Sequence, residues 1–275
     1  MKLATRFGRG HTAIRSHLPL TNDMIASVAP SIFATGKHGS RSDRYTYIPT
    51  IDVLERLRAE GFTPFMACQA RCRDEGKREH TKHMLRLRHS SQIVGSEASE
   101  IIMLNSHDGT SCYQMLAGTF RFVCCNGMVC GDTLNEIRVP HKGDIVDNVI
   151  EGAFRVVQDF ERIDGQIDGM KSLPLNSAEQ LAFAHAALAL KYDPLTEPAP
   201  ITEQQILEPK RREDLGNDLW TTFNRVQERM LQGGVKGRTS RGRRTTTRAV
   251  TGIDQDLKLN RALWILAEQM KVLKH

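Results

Sequence analysis

The sequence predicts an α+β fold, with an antiparallel β-meander and a short helix in the first half and a mainly helical second half. Three observations carry that expectation. Apolar and polar residues alternate over positions 65–73 and again over 83–89, on either side of a polar loop, the period of a strand. The dipeptides Asp108-Gly109 and Asn126-Gly127 sit between β-rich runs, where tight hairpin turns require positive φ. Beyond residue 144, apolar residues recur at steps of three and four, the spacing of one buried helical face.

Residues 1–45 read as an irregular N-terminal segment, rich in Gly and Ser with Pro19 and Pro30. A sheet-rich α+β core spans 46–143. Thr50 caps a helix from Ile51 to Glu60, which Gly61 closes. In the run Phe65–Arg73, Met66, Cys68, Ala70 and Cys72 occupy one face of a strand, and Gln69, Arg71 and Arg73 the other. His83–His89 repeats the pattern, Leu85 and Leu87 against Arg86 and Arg88. Two hairpins follow, around Asp108-Gly109 and Asn126-Gly127.

The helical region covers 144–232. Val149, Ala153, Val156 and Phe160 form its first stripe, and Asp164-Gly165 and Asp168-Gly169 read as loop turns. Ser177 and Gln180 make a capping box before an alanine-rich helix holding His185, read as a core or interface histidine. Pro194, Pro198 and Pro200 mark a linker, and Leu215, Leu219, Phe223, Val226 and Met230 a further stripe. Residues 233–251 read as a basic flexible loop, and 252–275 as a closing helix.

Composition narrows the function. A chain of 275 residues with 40% hydrophobic and 25% charged residues is globular, neither disordered nor fibrous. No apolar run reaches the roughly 18 residues of a membrane span, and Met1–Gly10 holds no apolar signal core. A cytoplasmic protein with reduced thiols and no membrane partner is therefore expected. No Walker loop, nucleophile elbow or zinc-protease helix is present, and no cofactor is expected.

The net charge of +6 is unevenly placed. Residues 236–248 hold six cations, Lys236, Arg238, Arg241, Arg243, Arg244 and Arg248, and no acid. Guanidinium forks and interspersed hydroxyls suit phosphate oxygens, although the same composition suits a solvated connector. A second basic feature is the arginine face of the sheet: Arg71, Arg73, Arg86, Arg88 and Arg121. Such a face can track a phosphate backbone, or simply be the wet side of a sheet. Cys68, Cys72, Cys112, Cys124, Cys125 and Cys130 read as small buried hydrophobes or, less in keeping with zinc spacing, as metal ligands. Asn105–Ser111 places Ser106, His107 and Asp108 together. That points to a polar turn bonding its own backbone, with a hydrolase site as the alternative.

The blocks Asn105–Ser111, Gly118–Gly127 and Ile137–Gly143, with Tyr47–Thr50, Leu85–Arg88 and Trp220–Gly234, resemble the DUF932 family of phage- and plasmid-related proteins. The resemblance spans roughly residues 40 to 265. It implies a mobile-element setting in which DNA replication, repair, recombination or counter-defence are common tasks, and it transfers no catalytic residue.

The function expected is therefore binding of nucleic acid, single-stranded DNA favoured, in recombination, annealing or plasmid and phage DNA maintenance. A homo-oligomer is an expected accompaniment. The alternatives are a metal-dependent hydrolase or nuclease around His107, Asp108, His141 and Asp144, and a counter-defence interaction module.

Overall fold

The structure is a computed structural model. It describes residues 12–41, 45, 47–72, 74–89, 91, 93–94, 97–124, 126–130, 137–139 and 145–274. The chain divides into two compact units, residues 1–160 and 161–275.

The first unit is built on one antiparallel sheet. In chain order its elements are β1 (Thr12–Arg15), α1 (Asn22–Ala26), α2 (Thr50–Ala59), β2 (Phe62–Gln69), β3 (His83–His89), β4 (Ile93–Val94), β5 (Glu97–Asn105), β6 (Tyr113–Arg121), β7 (Asn126–Val129), β8 (Ile137–Val139) and α3 (Ile145–Gln158). The strand order is β1-β2-β3-β5-β6-β7, with β4 added on β5 and β8 on β6. The expected sheet and helical second half are both present.

The sheet curls. In a flat sheet β1 and β6, four positions apart, would lie roughly 19 Å from each other. Here the Arg15 guanidinium stands 5.1 Å over the Phe120 ring, and His17 stacks on Phe122. Curling encloses one face, which carries Met66, Cys68, Arg86, Glu100, Ile102, Leu116 and Phe120, all buried. The opposite face, with Leu85, Met103 and Met115, packs under α2 and α3. There Gly152 of α3 approaches Ile137 and Met115 closely enough that a Cβ would sit 3.1 Å and 3.4 Å away.

Several local expectations change. β1 emerges from the segment read as irregular, because four residues are too few to show a period. β6 runs unbroken through Gly118 to Arg121, so Asn126-Gly127 lies within β7, paired with Arg121 and Phe120, rather than at a turn. Gly127 is needed for space: a Cβ there would collide with the Arg86 guanidinium. Asp108-Gly109 does lie in the β5–β6 connection, with Gly109 at φ +76°. Thr50 begins α2 but does not cap it.

The second unit contains α4 (Phe160–Lys171), α5 (Ser177–Lys191), α6 (Glu203–Leu207), α7 (Leu219–Gln232), β9 (Lys236–Arg238), β10 (Arg244–Thr246) and α8 (Ile253–Lys274). Asp164-Gly165 and Asp168-Gly169 are inside α4, since burial of Ile163, Ile167 and Met170 overrides the glycines. The capping box of α5 is Asn176 with Glu179, one residue before the expected pair. His185 is exposed on α5, its Nδ1 2.8 Å from Glu203 Oε1. Twelve residues of α7 are buried, among them Trp220, Phe223, Val226 and Met230, with Trp264 of α8 edge-on to Trp220 and Phe223. Leu215 lies outside α7 and is exposed.

No described helix is long and apolar enough to cross a membrane.

Candidate nucleic-acid interface

Residues 233–251 are not a shapeless loop. Gly233 at φ +63° ends α7, and Gly234 follows at φ +79°. Val235 and Thr247, both buried, then close the stalk of a hairpin. Thr247 N donates to Val235 O (2.9 Å), and Val235 N donates to Thr247 Oγ1 (3.0 Å). β9 and β10 pair in the register Lys236↔Thr246, Gly237↔Thr245 and Arg238↔Arg244. The tip turns at Gly242, φ +75°, with Thr239 N bonded to Arg243 O at 2.9 Å and Arg243 N to Thr239 Oγ1 at 3.2 Å.

The free edge of β9 lies along the segment before α6. Arg238 N donates to Pro200 O at 2.8 Å, and a Cβ on Gly237 would collide with that same carbonyl. Gln205 braces the joint: its Nε2 donates to Lys236 O (2.9 Å), while its Oε1 accepts from Thr202 N (2.9 Å). Lys191, at the end of α5, reaches the stalk from the other side. Its ammonium donates to Met230 O at 2.7 Å and Arg248 O at 3.2 Å, holding together the two chain segments that lead into and out of the hairpin. Partial burial lowers the pKa of this lysine.

Side chains alternate across a strand, so Gly237 and Thr245 share one face of the hairpin and Lys236, Arg238, Arg244 and Thr246 the other, and the segment along the β9 edge meets residues of both. Lys236, Arg238, Arg241, Arg243, Arg244 and Arg248 are all exposed. Among the described residues, none of the six pairs with a carboxylate. Hairpin and segment together form a cleft of about 790 Å³, lined by Pro200, Thr202, Gln205, Lys236, Gly237, Arg238, Arg244, Thr245 and Thr246. No acidic side chain lines it.

The arginine face of the sheet is a different matter. Arg86 and Arg88 are 1% exposed on the enclosed face, and Arg121, 8% exposed, alternates with Phe120 onto the opposite face, so these three share no wet face. Arg86 Nη1 lies 3.0 Å from Glu100 Oε2, and Arg88 Nη2 2.8 Å from Glu100 Oε1. The Arg88 guanidinium also sits 4.3 Å from the Phe65 ring and 4.2 Å from the Phe120 ring, a desolvated cation–π arrangement. The curl is the reason: it turns a face that alternation marks as polar into the inside of the molecule. Arg71 is exposed but follows the end of β2. Arg73 lies outside the described residues.

The polar turn is internal at Asn105–His107, while Gly109 and Thr110 at its tip are exposed. His107 and Ser106 are fully buried. Thr50 Oγ1 is the hub of the surrounding network, 2.9 Å from His83 Nε2, 3.3 Å from His107 Nε2, 3.0 Å from Asn105 Nδ2 and 3.2 Å from the Tyr113 hydroxyl. His83 Nδ1 faces Ser31 Oγ (2.8 Å) and Thr81 O (3.1 Å). The carbonyl can only accept, so Nδ1 carries the proton and Nε2 accepts from Thr50. Burial, reinforced by His107, lowers the His83 pKa to about 3. Burial works against the Asp108 charge, but the Thr110 hydroxyl and amide bond the carboxylate and hold it below its ordinary range. His141 and Asp144 lie outside the described residues. Cys68, Cys124 and Cys130 are buried, Cys72 and Cys112 half-buried, and Cys125 lies outside the described residues. No group of three His, Cys, Asp or Glu among the described residues is placed to hold a metal ion.

Sequence reasoning found the six cations but missed their seat. The Thr202-x-x-Gln205 pattern is a capping box, and it was the available signal for α6. Nothing local announces Lys191 as the brace of a stalk some forty residues further along.

A curled antiparallel sheet unit and a helical unit bearing a cationic hairpin define the class of protein. The chain belongs to the DUF932 family, "Domain of unknown function (DUF932)", whose model matches residues 37–264. Two relatives from Escherichia coli (strain K12) are similar over nearly their whole length. The UPF0380 protein YafZ is 55% identical over 269 residues, covering 98% of this chain and 97% of the relative. The UPF0380 protein YfjQ is 56% identical over the same lengths. No solved structure matches.

Proposed function

We propose that this chain binds nucleic acid through the β9–β10 hairpin, with single-stranded DNA the favoured form. The observation that carries the reading is the set of six exposed cations, unpaired with carboxylates among the described residues, on a hairpin pinned to its own unit. Cations held without counter-charges repel one another, and a phosphate chain relieves that repulsion while releasing its own counterions. The guanidinium groups supply forked donors, and Thr239, Ser240, Thr245 and Thr246 add hydroxyls that suit the same oxygens. Such contacts position a backbone without reading sequence. A task in recombination, annealing or maintenance of phage and plasmid DNA, with self-association of the chain, completes the proposal. Anisotropy of a labelled oligonucleotide, followed through a salt series with mass measured on the same sample, tests it. Binding at low salt that weakens steeply as salt rises is expected; no binding at low salt overturns it.

A further inference from the structure

The cleft beside the hairpin is larger than charge neutralisation needs. A phosphate lying on a basic surface requires donors, not a cavity, yet here about 790 Å³ opens between β9–β10 and the Pro200–Gln205 segment. That volume lies within the range of roughly 300–1,000 Å³ typical of small-ligand sites. Its walls do not depend on a ligand. Gly237 lies against Pro200 O, Arg238 N bonds that carbonyl, and the Gln205 amide ties Lys236 O to Thr202 N. Each amide atom of Gln205 already makes one bond within the wall, which fixes the side chain in place.

The remaining lining sorts by chemistry. Lys236, Arg238 and Arg244 are donors for an anion, Thr245 and Thr246 offer hydroxyls, and Pro200 gives an apolar ring. Arginine planes also accept a stacked base. An anionic group joined to a flat or apolar one is what this combination suits, and a nucleotide is that molecule.

We infer that the cleft seats one nucleotide unit of the bound strand, its phosphate across Arg238 and Arg244 and its base and sugar turned in beside Pro200 and Thr246. The inference rests on the nucleic-acid reading above and adds a selection rule to it. A base in a single strand is free to turn in, whereas a paired base must first be unstacked and unpaired. The cleft therefore selects single strands. Nothing in its lining distinguishes one base from another, so the preference is for strandedness and not for sequence.

The test is a competition in which a labelled single-stranded oligonucleotide is displaced by a thymidine 5′-monophosphate, by inorganic phosphate, or by a duplex of the same length. The nucleotide is expected to compete at lower concentration than phosphate, and single strand to bind about tenfold or more tighter than duplex. A Thr246→Phe variant, which keeps every cation and fills the cleft, should reduce both the advantage of nucleotide over phosphate and the preference for single strand over duplex. Equal competition by nucleotide and phosphate, with single strand and duplex bound alike, overturns the nucleotide seat and leaves the cationic hairpin standing. Loss of all oligonucleotide binding at low salt overturns both.

Discussion

Arg238 and Arg244 are direct partners across the β9–β10 hairpin, two guanidinium groups on neighbouring strands with no carboxylate paired to either among the described residues. Like charges opposed in this way oppose pairing of the strands. The hairpin is held instead by its stalk, by its tip and by the bonds to Pro200 and Gln205.

That opposition has a measurable consequence. Replacing both residues, Arg238→Ala with Arg244→Ala, should leave the melting temperature nearly unchanged, because a repulsion is removed and the side-chain bond lost is the exposed one from Arg238 Nη1 to Gly242 O at 3.2 Å. Oligonucleotide affinity should fall. A variant that loses thermal stability and affinity together would mean that the arginines hold the hairpin rather than serve it.

Lys191 should matter for the opposite reason. Its ammonium satisfies the carbonyls of Met230 and Arg248 on either side of the hairpin segment. A Lys191→Met variant keeps the apolar stem and drops both bonds, at a cost of about 1–2 kcal/mol. Hydrogen exchange should quicken at Val235 and Thr247 in the stalk, with little change in α5. Unaltered exchange there would count against the brace.

In the curled sheet, Glu100 is the acid of a buried pair of arginines. Glu100→Ala strands two cations in an apolar interior, so a loss of about 3–5 kcal/mol is expected in denaturant unfolding. Changing Arg86, Arg88 and Glu100 together to apolar residues of similar volume should cost far less. If Glu100→Ala is as stable as the parent, the interior assigned to this face is wrong.

His83 gives a pH dependence with a definite sign. Its folded pKa, about 3, lies below the ordinary 6.5, so the unfolded chain binds the proton first as pH falls. The stability it contributes is complete above pH 6.5 and is lost as pH falls from there towards 3, by up to about 1.4 kcal/mol per pH unit. Between pH 6.5 and 5, before most carboxylates titrate, a His83→Gln variant should show a shallower decline than the parent. Parallel profiles would contradict a neutral, buried His83.

How much of this was legible in the sequence follows from what each feature depends on. His83–His89 is readable as a strand, and its ends agree with β3, because alternation is a local property. Which face is wet is not local. Arg86 and Arg88 alternate with Leu85 and Leu87, as on a half-exposed strand, but the curl carries β1 back over β6 and closes that face. Gly127 shows the same limit. Next to Asn126 it has the form of a turn, yet it is kept small by an arginine three positions away in the strand order. Thr50 looks like a cap from its neighbours, but its hydroxyl serves His83, Asn105 and Tyr113 from distant segments. The charge of residues 236–248 needs no tertiary information, so the cations were visible, while the hairpin and its cleft depend on Pro200 and Gln205.

The salt dependence of single-stranded DNA binding tests the central claim most directly. Each engaged cation should add about 0.7 to the slope of log affinity against log salt. Replacing Arg238, Arg241, Arg243, Arg244 and Arg248 with Ala should flatten that slope by up to about 3.5 and weaken binding at every salt concentration. A five-alanine variant that binds with the parent's affinity and slope would contradict the account.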